Sequence, residues 1–345
     1  MDQILDRKVI RRGLIYVFAL SVLIILSIFI FTTGKGTIKG VLSFNCTYIP
    51  VLLIVTIARW LFDGQAFVVL SKHGSRRTVS LTRGAVIRLE GTLVSSVIPL
   101  LAGTVSTHTY LLHKEKLRWS ESIAITILRS VIPMILFLIN IPILFFVSGG
   151  YAEKNFFNQI LRAVSIPIIS IIVFFILVLV YPSILKKVIV FISDFMSRIK
   201  LINKNRMVNL TRKLLTEVDK FRKIILFFVI KKKFALFMAG FWIFAAFTMD
   251  YVTALLIVRG FGFSIPWIQA LAVQALMKPI IYSAPSPGGA GIWELVALGF
   301  FSLYVPKYML GFSVFLWRIF LSYLPLVAGM YFFYREFRAD SAQQG

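Results

Sequence analysis

Pro285-Ser286-Pro287-Gly288-Gly289-Ala290-Gly291-Ile292-Trp293-Glu294 interrupts a largely apolar run that extends from Ile265 to Val305. Two prolines remove backbone donors, and three glycines permit positive φ and close backbone approach, so no helix continues through the stretch. Irregular backbone at membrane depth is tolerated only where it faces protein or water. The arm after the break is about fifteen residues, short for a span, which needs about 20. The stretch therefore reads as the bend of a helical hairpin that enters a membrane and returns to the same side.

The rest of the chain supplies the membrane. Hydrophobic residues make up 59% of 345, Phe alone contributes 33, and the mean hydropathy is +0.87. Such a surface is matched to lipid rather than water. Apolar stretches long enough to cross lie near 13–31, 48–70, 123–147, 157–181, 234–258 and 309–334. The first follows Arg7, Lys8, Arg11 and Arg12 without a small-residue cleavage site and reads as a retained helix. The expected fold is all-α and polytopic.

Charge orients these spans. Lys and Arg number 38 against 14 Asp and Glu, a formal net charge of +24. The N-terminus, 71–92, 113–122, 182–233 and the tail after Arg335 are basic, whereas 32–47, 148–156 and 259–264 carry few charges. The positive-inside rule then places both termini in the cytoplasm of a multi-pass cell-membrane protein and makes nucleic acid the weaker reading of the basic excess. The 182–233 connection holds fourteen basic residues against Asp194, Glu217 and Asp219 and ends in Lys231-Lys232-Lys233. It predicts surface helices on anionic headgroups, with plain positive-inside anchoring as the simpler alternative.

Leu93 to Leu112 poses the hairpin problem from the opposite side. It is apolar yet contains Pro99, Gly103, six Ser or Thr and His108, with basic loops on both flanks, so it predicts a re-entrant hairpin from the cytoplasm. The order becomes span, span, hairpin, span, repeated with direction reversed: six spans and two hairpins in an inverted-topology repeat. The single membrane domain 1–345 divides into halves of about 1–150 and 157–338 around the basic 182–233 loop. Arg129 follows Gly103 by 26 positions and Arg318 follows Gly291 by 27, with Pro133 and Pro325 beyond. In transporters of this symmetry the site lies where the broken segments meet.

The candidate binding residues follow from cost. A helix starting after Gly291 aims its free N–H groups at the break, which suits a phosphate; a structural turn is the other reading. Glu294, one turn into an apolar segment, needs a partner, and Arg318 or Lys278 can supply it. Arg129, with no acidic neighbour in its own helix, is a phosphate contact or a snorkelling side chain. Arg59 and Asp63, four apart, are expected to neutralise each other on one helical face. Asp250 reads as an intramembrane carboxylate without a local partner, in a proton-coupling or a hydrated structural role. His108 and Tyr110 sit on the return arm of the first hairpin, where a lone histidine reads as packing. His73 and His113 fall in loops, and Cys46 is the one cysteine, so no disulfide, no metal site and no cofactor is predicted. Nucleotide-binding loops, zinc-protease helices and nucleophile elbows are absent from the sequence.

Pro285-Ser286-Pro287-Gly288-Gly289-Ala290-Gly291-Ile292-Trp293-Glu294, then Trp317-Arg318 and Tyr323-Leu324-Pro325, resembles the C-terminal signature of the flippase-like membrane domain of lysylphosphatidylglycerol synthases. Ile98-Pro99, Gly103, Tyr110-Leu111-Leu112 and Leu128-Arg129-Ser130 resemble its first-half signature. The resemblance implies a lipid flippase domain handling an anionic, aminoacylated or isoprenoid lipid, with Pro285, Pro287, Gly288, Gly289, Gly291, Glu294, Arg318 and Arg129 at the headgroup. Lys278, His108, Tyr110, Asp250, Arg59 and Asp63 are supporting candidates. Where many members carry an acidic residue soon after the first-half glycine, this chain has Thr104, Ser106 and Thr107. In bifunctional members a soluble acyltransferase domain makes the lysyl lipid; here the sequence stops at Gly345, so translocation without lysyl transfer is expected. The alternatives are a membrane subunit presenting lipid to a separately encoded transferase, or a scaffold using the basic loop; a homodimer is compatible with each.

Overall fold

The computed structural model describes residues 7–97, 100–147, 204–282 and 289–342, together with separate positions between 166 and 193. Every described element is helical. The first half runs α1 (Arg7–Thr32), α2 (Thr37–Leu42), α3 (Tyr48–Gly74), α4 (Leu81–Val97), α5 (Leu100–Lys114) and α6 (Trp119–Val147). The second runs α7 (Lys204–Lys231), α8 (Lys233–Gly260), α9 (Trp267–Tyr282), α10 (Ile292–Phe301), α11 (Leu310–Arg318) and α12 (Leu324–Ala342). A π-helical turn, Ile319–Tyr323, joins the last two.

Four helical stretches are long and apolar enough to cross a membrane: Tyr48–Gly74, Trp119–Ile143, Lys233–Gly260 and Lys307–Glu336. Shorter apolar stretches occupy Ala19–Thr32, Ala270–Ile280 and Ile292–Phe301. The protein is thus a polytopic, membrane-embedded helical bundle. The stretch expected to span at 157–181 lies largely outside the described residues, as do Pro285, Pro287 and Gly288.

The most extensive helix packing is between α3 and α8, one helix from each half. Helices in lipid gain little from hydrophobic attraction, so close backbone approach and interhelical polar contacts hold them. Both are present here. A Cβ at Gly64 on α3 would stand 2.5 Å from the Ala85 nitrogen of α4, and one at Gly84 2.5 Å from the Gly64 carbonyl oxygen. Only glycine permits that contact, and it brings Asp63 within reach of Arg88. On the buried face of α8, Ala239, Ile243, Ala246 and Phe247 lead to Asp250.

The first hairpin is larger than 93–112. Its arms are α4 and α5, of 17 and 15 residues, each about 25 Å of helix at 1.5 Å per residue. The charges that made 71–92 look like a loop, Arg83, Arg88 and Glu90, are helical and face other helices. His73 and His113, read as loop residues, close the last turns of α3 and α5. In the second half, α9 ends at Tyr282 and α10 begins at Ile292, on either side of the Pro/Gly stretch. Backbone at Gly289 and Gly291 adopts φ of 65° and 90°, a region closed to most side chains.

The basic connection corrects a second expectation. In α7, Phe221, Ile225 and Phe228 are buried in one cluster with Phe67, Leu112 and Ile125, so this apolar stripe packs on protein rather than on headgroups. The Phe228 ring lies at Gly74, where a side chain would strike it. Glu217 anchors the helix by accepting the Ser120 backbone N–H at 3.0 Å and the Lys220 ammonium at 2.7 Å. Partial burial pushes the Glu217 carboxyl upward, but those donors outweigh it and hold its pKa below the usual range.

Candidate functional site

Among the described residues, three buried ion clusters lie within the bundle. Charges in an apolar interior persist only when paired, so their positions mark where the sequence accepts a cost. In the first cluster, Asp63 of α3 accepts from Arg88 of α4, Nε to Oδ2 at 2.6 Å, and from Arg129 of α6. Arg129 also lies over the Phe67 ring, 5.0 Å from its centroid. In the second, Asp250 of α8 pairs with both Arg59 of α3 and Lys278 of α9. Lys278 faces the rings of Phe247 and Tyr251 at 4.8 and 5.4 Å.

In place of the expected Arg59–Asp63 pair, these residues form three interhelical ones. The side chains share one helix, but each reaches a different neighbour: Arg59 reaches α8, and Asp63 reaches α4 and α6. Asp250 and Arg129, both read as lacking partners in their own helices, find them across the bundle. Since Arg59 and Asp63 are one turn apart, α3 links the two clusters.

The third cluster is Glu294 and Arg318. Glu294 Oε1 is 3.1 Å from Arg318 Nε, and Oε2 accepts the Gly291 N–H at 2.8 Å. The helix N-terminus expected to receive a headgroup is thus occupied by the carboxylate of its own first turn, because Glu at the third position reaches back to the N-cap. Arg318 further donates to Ser21 of α1 at 2.8 Å and Ser322 at 2.9 Å. Lys278, the alternative partner for Glu294, is taken by Asp250.

His108 is buried against Phe67, ring centroids 5.1 Å apart, and Tyr110 packs at the edge of the Phe67 and Leu112 cluster. A cavity of about 20 Å³ lies between Asp250, Lys278, Trp293 and Trp317, room for about one water molecule. The Asp250 cluster therefore has no room for a phosphate in this arrangement, and admitting one there requires ion pairs to separate.

The two halves place these charges in register. Asp250 stands 187 positions after Asp63, Lys278 190 after Arg88, Arg318 189 after Arg129, and Gly291 188 after Gly103. Each set occupies a long helix, the first arm of the following hairpin and the helix after it. Glu294 falls 188 positions after Ser106, so the second half alone carries an acid there. Arg88 escaped sequence reasoning because it sits among loop-like charges; its spacing to Lys278 was the signal that points to it. Arg83, Glu90 and Glu336 were missed for the same reason.

Among known families, the model described as "Lysylphosphatidylglycerol synthase TM region" matches residues 15–329. No curated protein and no solved structure matches.

Proposed function

We propose, since the chain belongs to the lysylphosphatidylglycerol synthase transmembrane-region family, that it is a translocase moving an anionic lipid between leaflets. The observation that carries this reading is that four cations, Arg59, Arg88, Arg129 and Lys278, share two carboxylates, Asp63 and Asp250, inside an apolar bundle. A lipid phosphate matches the shape and charge of the carboxylates it would displace. Guanidinium forks bind either bidentately, so exchange costs less than exposing a bare cation.

On this reading the chain has six spans and two re-entrant hairpins in an inverted repeat. The pseudo-symmetric Asp63 and Asp250 clusters are the headgroup stations of the two halves. Acyl chains stay in lipid while the headgroup passes along α3, from Arg88 and Arg129 to Arg59 and Lys278 or the reverse. Basic connections, α7 included, face the cytoplasm, and no covalent step on the lipid is carried out. Glu294 and Arg318 set the bend of the second hairpin rather than touching the headgroup first.

The test is leaflet exchange of a fluorescent phosphatidylglycerol in proteoliposomes, read by accessibility to an impermeant quencher. The native chain is expected to exceed empty vesicles, and Arg129→Gln and Lys278→Gln to lose roughly tenfold, the value of one charged hydrogen bond. Exchange at the rate of empty vesicles for phosphatidylglycerol and its lysyl ester, or full rates in both variants, rejects the reading.

A further inference from the structure

At the end of the bundle that carries α7, helices α4, α5 and α12 meet around a carboxylate that the lipid reading does not use. Glu90 of α4 is 0% exposed, and neither of its oxygens has a hydrogen-bond donor. Its closest cation is Arg83, with Nη1 at 3.9 Å, beyond hydrogen-bonding distance. Arg83 is engaged elsewhere: its Nε donates to Glu115 at 2.5 Å and its Nη1 pairs with Glu336 of α12. Lys114, at the end of α5, also reaches Glu336, at 3.2 Å. Three carboxylates thus compete for two cations, and Glu90, the most buried of the three, is the one without a donor.

Among the described residues no other cation lies within 4 Å of Glu90, and Lys114 acts on it only from farther away. Helix α4 packs against α1, α3, α5 and α12. From α3 comes Asp63, held with Arg88. From α5 come His108, whose ring nitrogens also lack partners, and Lys114. Glu115 follows α5, and α12 brings Glu336 and the exposed Arg335; the side chains described in α1 are uncharged. A buried carboxylate with no donor is disfavoured as an anion far more than as a neutral acid.

We propose that Glu90 is a proton-binding site: its carboxyl carries a proton while Arg83 bridges to Glu336, and releases it when Arg83 turns toward Glu90. The O–H bond of the carboxyl breaks and the proton passes to water. The exit is the groove of about 440 Å³ beside Arg83 and Glu336, lined further by Trp60, Val86, Leu89 and Phe332. Arg83 keeps its charge and exchanges one carboxylate for another. Glu336 is not stranded, because Lys114 remains on it. The consequence is mechanical: the Arg83–Glu336 bridge ties α4 to α12, so proton release loosens that tie and leaves Lys114 of α5 as the remaining link to Glu336. The inference stands apart from lipid movement, and its test reads a proton rather than transport.

The experiment is infrared difference spectroscopy of the full chain in phosphatidylglycerol and phosphatidylethanolamine vesicles, stepped from mildly acidic to alkaline buffer. The native protein is expected to show the carbonyl band of a buried protonated carboxyl at neutral pH and to lose it as pH rises. Glu90→Gln is expected to remove that band. Arg83→Gln, which takes away the nearest cation, is expected to move its loss at least one pH unit upward. Absence of the band from the native protein, or its full retention in Glu90→Gln, overturns the proposal. Should Glu90→Gln not be recovered folded, an unchanged titration point in Arg83→Gln overturns it equally.

Discussion

Glu294 caps the backbone of the residue that makes the bend, Gly291, while its other oxygen holds Arg318 3.1 Å away, both side chains being at most 2% exposed. One carboxylate therefore sets the start of α10 and neutralises the most deeply buried guanidinium in the described protein. Glu294→Ala strands Arg318, a loss of about 3–5 kcal/mol for a broken buried pair. Glu294→Gln keeps an acceptor for the Gly291 N–H and is expected to cost less. Replacing both residues, as Glu294→Leu with Arg318→Met, is expected to recover much of the loss. Thermal unfolding in detergent ranks the four proteins; a Glu294→Ala chain that melts with the native one disproves the assignment.

That pair was legible in the sequence because both members stand in apolar surroundings, where a charge is conspicuous. Asp63 was visible for the same reason, but its partners were not. Spacing reports which residues share a helical face and is silent on what that face meets, so it points to the i, i+4 neighbour Arg59 and says nothing of Arg88 or Arg129. The first hairpin was located but shortened, since Arg83, Arg88 and Glu90 resemble a loop until Asp63, Glu115 and Glu336 are placed opposite them. Likewise, α7 shows amphipathicity in its sequence, yet only packing reveals that Phe228 fills the space at Gly74. Local polarity was readable; the identity of interhelical neighbours required the fold.

The contact of Gly64 with Gly84 places α3 and α4 close enough for Asp63 and Arg88 to meet, and it predicts a steep dependence on one methyl group. In Gly64→Ala the new carbon would lie 2.5 Å from the Ala85 nitrogen, against backbone that cannot rotate away. Overpacking of this kind costs about 1–3 kcal/mol. Gly240→Ala on α8 meets only an ordinary contact, 3.6 Å from an Ile132 methyl, and serves as the control. The expected result is a lowered melting temperature and weakened lipid exchange for Gly64→Ala, with neither in Gly240→Ala. Equal behaviour of the two would mean that α3 and α4 are not in backbone contact.

Cys46 offers a direct check on the orientation inferred from loop charge. It is exposed in the connection between α2 and α3, a segment with few charges, and it is the chain's single cysteine. The positive-inside rule predicts that this connection faces away from the cytoplasm and that α7, with Lys220 exposed on its surface, faces into it. An impermeant maleimide applied to intact cells is expected to label the native chain at Cys46. Lys220→Cys in a Cys46→Ser background is expected to react only after the membrane is opened. Cys46 precedes the start of α3, and Phe228 of α7 docks at its far end, Gly74, so the two labelling sites are expected to report opposite sides of the membrane. Labelling of both positions from outside would break the topology on which the inverted repeat, and with it the pairing of Asp63 with Asp250, depends.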